Sequence, residues 1–313
     1  MKDKLHYRGR TAQTGIYFRK LLRMCLYQND WKVLPMAALI AGLVTFAVGG
    51  SLFRTQEGTL MGCFALSCVC IWNGYFNSIQ AVCRERPIIK REHRAGMHIS
   101  SYIMAHMMYQ MILCVLQTII MILILRAAGV AFPEESLITG NFKLDLGIAM
   151  FLVTYAADMM ALAVSSLVRN TTTAMTVMPF LLIFQLVFSG GVIALSGFAK
   201  KLTNLTIAKW GLQNFCTLGN YNSLPMVTLW NTMWKFRSME VDGARPVEMI
   251  TDYIAENDLR DVILQESGAY NTVEEYVYTA GNVLRCWGVL LLSIIIFAVL
   301  AVLFLEFIDR DRR

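Results

Sequence analysis

The residues in this chain that could do chemistry fall into three sets, and none is arranged for covalent catalysis. The densest is Glu85-Arg86-Pro87-Ile88-Ile89-Lys90-Arg91-Glu92-His93-Arg94, where both charge signs mix with apolar side chains. Such a segment can form a short helix across the membrane surface and present charge to another protein, but a basic loop with incidental acids would look the same. The second set, Cys70, Asn73, Asn77 and Gln80, recurs every three or four residues through an apolar stretch. At 3.6 residues per turn these lie on one helical stripe. Amides facing lipid would lack hydrogen-bond partners, so the stripe must meet protein or a wet cavity. The third set is the i, i+4 ladder Phe180, Phe184 and Phe188, with Thr176 and Gln185 nearby. Both stripes fit a solute pathway, and both also fit plain packing between helices.

Other chemistries find little support. No Gly-x-x-x-x-Gly-Lys-Ser/Thr run offers a phosphate cradle. Eight cysteines fall mostly in or beside apolar stretches, where Cys behaves as a small hydrophobe. Cys216 lies in a polar segment and is expected as a free thiol, with a bridge between two copies as the alternative. Three of the four histidines, His93, His98 and His106, are too irregularly spaced for a metal site. Asp158 sits alone within an apolar block and is expected to be a structural hydrogen-bonding group. An integral membrane enzyme would need a richer constellation than this. Nothing points to nucleic acid.

The elements that must position these residues are membrane spans. The chain has 313 residues, 56% hydrophobic and 16% charged, with a mean hydropathy of +0.51. Soluble domains carry about 45–50% apolar and about 25% charged residues. The apolar residues fall in blocks near the roughly 20 residues a bilayer crossing needs. Six blocks are expected as spans: residues 34–53, 60–83, 102–125, 142–168, 174–195 and 283–307. Lys and Arg concentrate in residues 1–32 and 84–101, with Arg310, Arg312 and Arg313 in the tail, so both termini are read as cytoplasmic. The fold class is therefore an all-α integral membrane protein. Residues 1–33 are expected to hold a cytoplasmic amphipathic helix, with Arg19, Lys20 and Arg23 opposite Tyr17, Phe18 and Leu21, lying along the bilayer surface or, as the alternative, packed on protein. Residues 34–195 hold five spans and the 84–101 loop, and residues 308–313 form a tail. Residues 196–282 make an external helical cap, with a helix starting at Pro246 and another capped by Thr272 and Glu275.

The charged loop also carries a resemblance. Glu85-Arg86, then Arg91-Glu92, then Gly96 and Tyr102 at the next span, resembles the first intracellular loop of the ABC transporter G subfamily, among the type-2 exporter permeases. Phe188-Ser189-Gly190-Gly191 followed by Leu202-Thr203-Asn204-Leu205-Thr206 and Lys209-Trp210-Gly211 is similar to the outer re-entrant region of prokaryotic members. The likeness covers about residues 29–221 and the last span, but not residues 222–282. It implies a permease that pairs with a second copy or homologue around a central cavity. A separate ABC ATPase would dock on residues 84–101 as a coupling helix, with Glu85, Arg86, Arg91 and Glu92 as coupling residues. Cys70, Asn73, Asn77, Gln80, Thr176, Phe180, Phe184 and Phe188 would then line the pathway. No cofactor is expected on this chain; ATP and magnesium would belong to the partner. The cargo would be an amphipathic or hydrophobic peptide, lipid or drug-like solute, and the location a bacterial cell membrane. The rival reading is a membrane sensor or assembly protein that binds a ligand or partner through residues 196–282.

Overall fold

The computed structural model describes residues 9–27, 30–191, 193 and 195–306; the basic residues before Gly9 and the tail after Glu306 lie outside them. Among the described residues the fold is helical, without a strand beyond the isolated bridge Val241–Ala244. The order is α1 (Arg10–Tyr27), α2 (Val33–Val48), α3 (Gln56–Ser78), α4 (Arg86–Arg94), α5 (Ile99–Ala127), α6 (Phe142–Leu167) and α7 (Thr171–Val187). There follow α8 (Gly197–Thr203), α9 (Ile207–Leu218), α10 (Thr228–Lys235), α11 (Pro246–Glu256), α12 (Arg260–Tyr270) and α13 (Ala280–Glu306).

Four helices, α3, α5, α6 and α13, are long and apolar enough to cross a membrane. Two of the six expected spans are shorter apolar helices instead. α2 has 16 residues and α7 has 17, or about 24–26 Å at 1.5 Å per residue. Both end early, at turns that contain glycine. Gly49 and Gly50 turn the chain after α2, and Leu52 and Phe53, expected inside the span, instead form a buried turn with Phe53 at φ 59°. Ser189-Gly190-Gly191 ends α7, with Gly190 at φ 76°, a backbone region glycine enters without steric cost.

The bundle is built around α6, which packs along both α3 and α13. Its small residues Ala149, Ala156, Ala157 and Ala161 are fully buried and let neighbouring backbones approach, the usual basis of helix association in lipid. Gly74 of α3 lies so close to α6 that an added Cβ would collide with the Thr154 carbonyl oxygen. By contrast, α13 leaves Leu284, Leu291, Ile295 and Val299 exposed as a lipid-compatible face. Asn141, Asn170 and Thr206 start α6, α7 and α9 by accepting from backbone N–H groups two or three residues on. α9 inserts beside α3, α6 and α13, so Cys216 is completely buried on it. That corrects its placement in a polar loop and removes it from any bridge across an outer surface. Pro246 does begin α11, but the Thr272–Glu275 box is not realised: only a single 3-10 turn, Glu274–Tyr276, forms after Val273.

Candidate functional site

The charged loop folds as α4, started by Pro87 in its first turn. Three of its four singled-out side chains face inward. Glu85, 6% exposed, forms a 3.1 Å ion pair with Lys20 of α1 and accepts from the Tyr102 hydroxyl at 3.4 Å. Glu92 accepts from the Tyr17 hydroxyl at 2.9 Å. Arg86 donates at 2.8 Å to both Ser166 and Val168 carbonyls at the end of α6, where a cation also complements the negative end of the helix dipole. Ser165 adds a second tie, its hydroxyl accepting from the Val82 and Cys83 N–H groups at 3.1 Å. Arg91 alone of the four is exposed, alongside Pro87, Ile88 and Arg94.

α1 completes the clamp with residues the sequence did not single out. The Gln13 amide donates to the Gly96 carbonyl at 3.2 Å and accepts from the His98 N–H at 2.9 Å. The Ser101 hydroxyl donates to the Arg10 carbonyl at 3.0 Å, and the Tyr17 and Tyr102 rings meet edge-on at 5.6 Å. The Tyr17 hydroxyl is pushed above the ordinary tyrosine range, chiefly by burial and then by its bond to Glu92, so it stays a neutral donor. The expected amphipathic helix is therefore docked on the α4–α5 corner through its polar as well as its apolar side chains.

The polar stripe of α3 turns into protein. Cys70 and Asn73 are buried. Asn77 exchanges two hydrogen bonds with Gln117 of α5, at 3.0 and 2.9 Å, and its carbonyl accepts from Gln110 at 3.2 Å. Asn77 and Gln80 line a chamber between α1, α3 and α5 that contains no α7 residue. The α7 stripe points the other way. Phe180 is 69% exposed and Phe184 36%, Thr176 is exposed with its hydroxyl on the Thr172 carbonyl, and the Phe184 and Phe188 rings touch at 4.9 Å. Within one copy the two stripes therefore line different walls. Asp158 is completely buried on α6; one carboxylate oxygen accepts from Cys114 at 3.6 Å and the other has no partner.

At the opposite end, Gln56 and Glu57 of α3 hold the α10–α12 region. The Gln56 amide donates to the Gly268 carbonyl at 2.9 Å and accepts from Asn271 at 3.1 Å. Glu57 accepts from the Val227 and Thr228 N–H groups at 3.3 and 2.7 Å and from the Thr228 hydroxyl. Both residues fall between the first two expected spans, and neither was singled out in the sequence. An acid and an amide in a first helical turn were the only signal there.

Comparison with known proteins bears on this geometry. The family profile described as "ABC-2 type transporter" matches residues 16–215, from within α1 into α9. The chain is also similar to the ABC transporter ATP-binding/permease protein Rv1747 of Mycobacterium tuberculosis, with 25% identity over 143 residues. That stretch covers 45% of this chain but 16% of the relative.

Proposed function

The chain belongs to the ABC-2 type transporter family, and on that premise we propose that it is the permease subunit of an ATP-driven exporter. Its membrane helices would form six crossings in a bacterial cell membrane, with α1 and α4 at the cytosolic face, as the Lys and Arg distribution favours. A separate ABC ATPase, carrying ATP and magnesium, would dock on α4. Two copies, or this chain and a homologue, would enclose the path of an amphipathic or hydrophobic solute. The exposure of Phe180, Phe184 and Thr176 supports α7 as the wall that a second copy completes.

One observation carries the reading. α4 is bound on its inner side to α1, α5 and the end of α6, while Ile88 and Arg91 stay exposed on its outer side. An element tied to three helices and open on one face suits the transfer of a push from outside into the bundle. The coupling set thereby divides into two roles. Arg91 belongs to the docking face, whereas Glu85, Arg86 and Glu92 transmit.

The test is co-purification and transport with the partner ATPase. Ile88→Glu and Arg91→Glu should reduce ATPase capture at least tenfold. Glu92→Gln should leave capture intact while uncoupling ATP hydrolysis from transport. Full capture and full transport by both docking variants would remove α4 as the docking element.

A further inference from the structure

The chamber between α1, α3 and α5 has a volume of about 220 Å³. His106 and Gln110 stand about one turn apart on α5, each 2% exposed, and both line it. Neither ring nitrogen of His106 has a hydrogen-bond partner, nor does Gln110 Oε1. Buried polar atoms are seldom left unpaired, and each such exception calls for an occupant or a role. Gln80, in the turn after α3, faces the same hollow.

The unpaired atoms specify what would satisfy them. A neutral imidazole offers one donor and one acceptor, and an amide oxygen offers an acceptor. Arg84 and Glu85, the charged groups lining the chamber, belong to the turn after α3, and Glu85 is already paired with Lys20. His106 lies seven residues into α5, within a helix long and apolar enough to cross a membrane. A charged head at that depth would be costly. A head that both donates and accepts without formal charge, a hydroxyl or an amide, fits.

A second hollow adjoins the first. A groove of about 240 Å³ runs between α2 and α3 and shares Val33 and Phe76 with the chamber. Met36, Ile40 and Trp72 make it largely apolar, with Lys32 at its lining and Met36 and Trp72 themselves exposed.

We propose that chamber and groove together bind a neutral single-chain amphiphile. Its hydroxyl or amide head hydrogen-bonds to His106 and Gln110, and its acyl chain lies against Met36, Ile40 and Trp72. The site is complete within one copy and uses neither α7 nor α4, so it stands apart from the permease reading and can fail or succeed independently of it.

The experiment uses the full chain in lipid nanodiscs with a monoacylglycerol carrying a diazirine on its chain. Saturable labelling should map to α2 and α3 and be competed by 1-monooleoylglycerol. Oleate and lysophosphatidic acid, equal in chain but charged in head, should compete at least tenfold less well. His106→Phe and Gln110→Leu should weaken labelling at least fivefold. His106→Gln, which keeps a donor and an acceptor, should stay within twofold, as should Ile295→Ala on the exposed face of α13. Met36→Trp, which fills the groove without touching the polar residues, should also abolish labelling if His106→Phe misfolds. Unsaturable labelling, equal competition by the charged lipids, or full labelling of folded His106→Phe and Met36→Trp would overturn the proposal. Two sources share this chemistry. In proteoliposomes with the ATPase, ATP-dependent loss of the bound probe identifies it as cargo and retention identifies it as a resident lipid; either supports the site.

Discussion

Tyr17 shows how a single atom can redirect a functional reading. Its ring belongs to the apolar face of an amphipathic helix, yet its hydroxyl donates to Glu92, 75 residues further along the chain. Helical periodicity reveals the face but cannot reveal so distant a partner, and so Glu92 looked free to bind another protein. The same holds for Glu85, whose partner Lys20 was grouped with the basic, headgroup-facing side of α1. A hydrogen bond to a charged group contributes about 1.5–3 kcal/mol. Tyr17→Phe should therefore loosen α1 from α4, seen as faster proteolysis or amide exchange across residues 10–27, with ATPase capture unchanged. The pH dependence follows from the raised hydroxyl. A phenol held neutral in the fold favours the docked state up to the ordinary tyrosine range and loses that advantage as pH climbs beyond about 10. Exchange protection of α1 should be flat through neutral pH and fall only in strong base. A fall between pH 6 and 8 would assign the clamp to another group.

At the scale of elements, hydropathy blocks found the four helices long and apolar enough to cross a membrane and the shorter α2 and α7, because lipid-length runs leave little ambiguity. The same blocks left the buried α9 in an external cap. They misjudged the ends where apolar residues serve turns. Leu52 and Phe53 count as membrane residues by hydropathy, but the chain turns after α2 and buries them against the bundle instead. The polar stripe of α3 was legible as inward-facing, since an amide in lipid has no partner. Which neighbour it meets was not, because Gln117, His106 and Gln110 belong to a helix whose rotation is set only by packing. Two helix backbones pack closely at Gly74, where an added methyl would meet the Thr154 carbonyl oxygen and the Asp158 N–H. Both are backbone atoms of α6, so neither can swing aside. Overpacking of this kind costs about 1–3 kcal/mol. Gly74→Ala should lower the thermal midpoint in detergent, whereas Gly42→Ala on α2, with nothing within 4 Å of its added Cβ, should not. Equal midpoints for the two variants would mean that α3 and α6 do not pack this closely.

For the whole molecule, the question is which exposed faces meet lipid and which meet another chain. α13 and α7 both present apolar side chains outward, but only α7 sets a row of aromatic rings beside an exposed hydroxyl, Thr176. If that wall is shared between two copies, Phe180→Cys should cross-link to itself under mild oxidation, while Ile295→Cys on α13 should not. Cross-linking at position 295 alone would move the shared wall to α13. The most consequential feature of the architecture is α3 itself. Its 23 residues form a rod about 35 Å long. One end is fastened through Gln56 and Glu57 to the α10–α12 region, and the other runs through a short turn into the clamped α4. A rod fastened at both ends acts as a lever with two loads. It cannot tilt under a pull on α4 without dragging the distant cap along, so reporters placed at the two extremities should shift in a single kinetic phase.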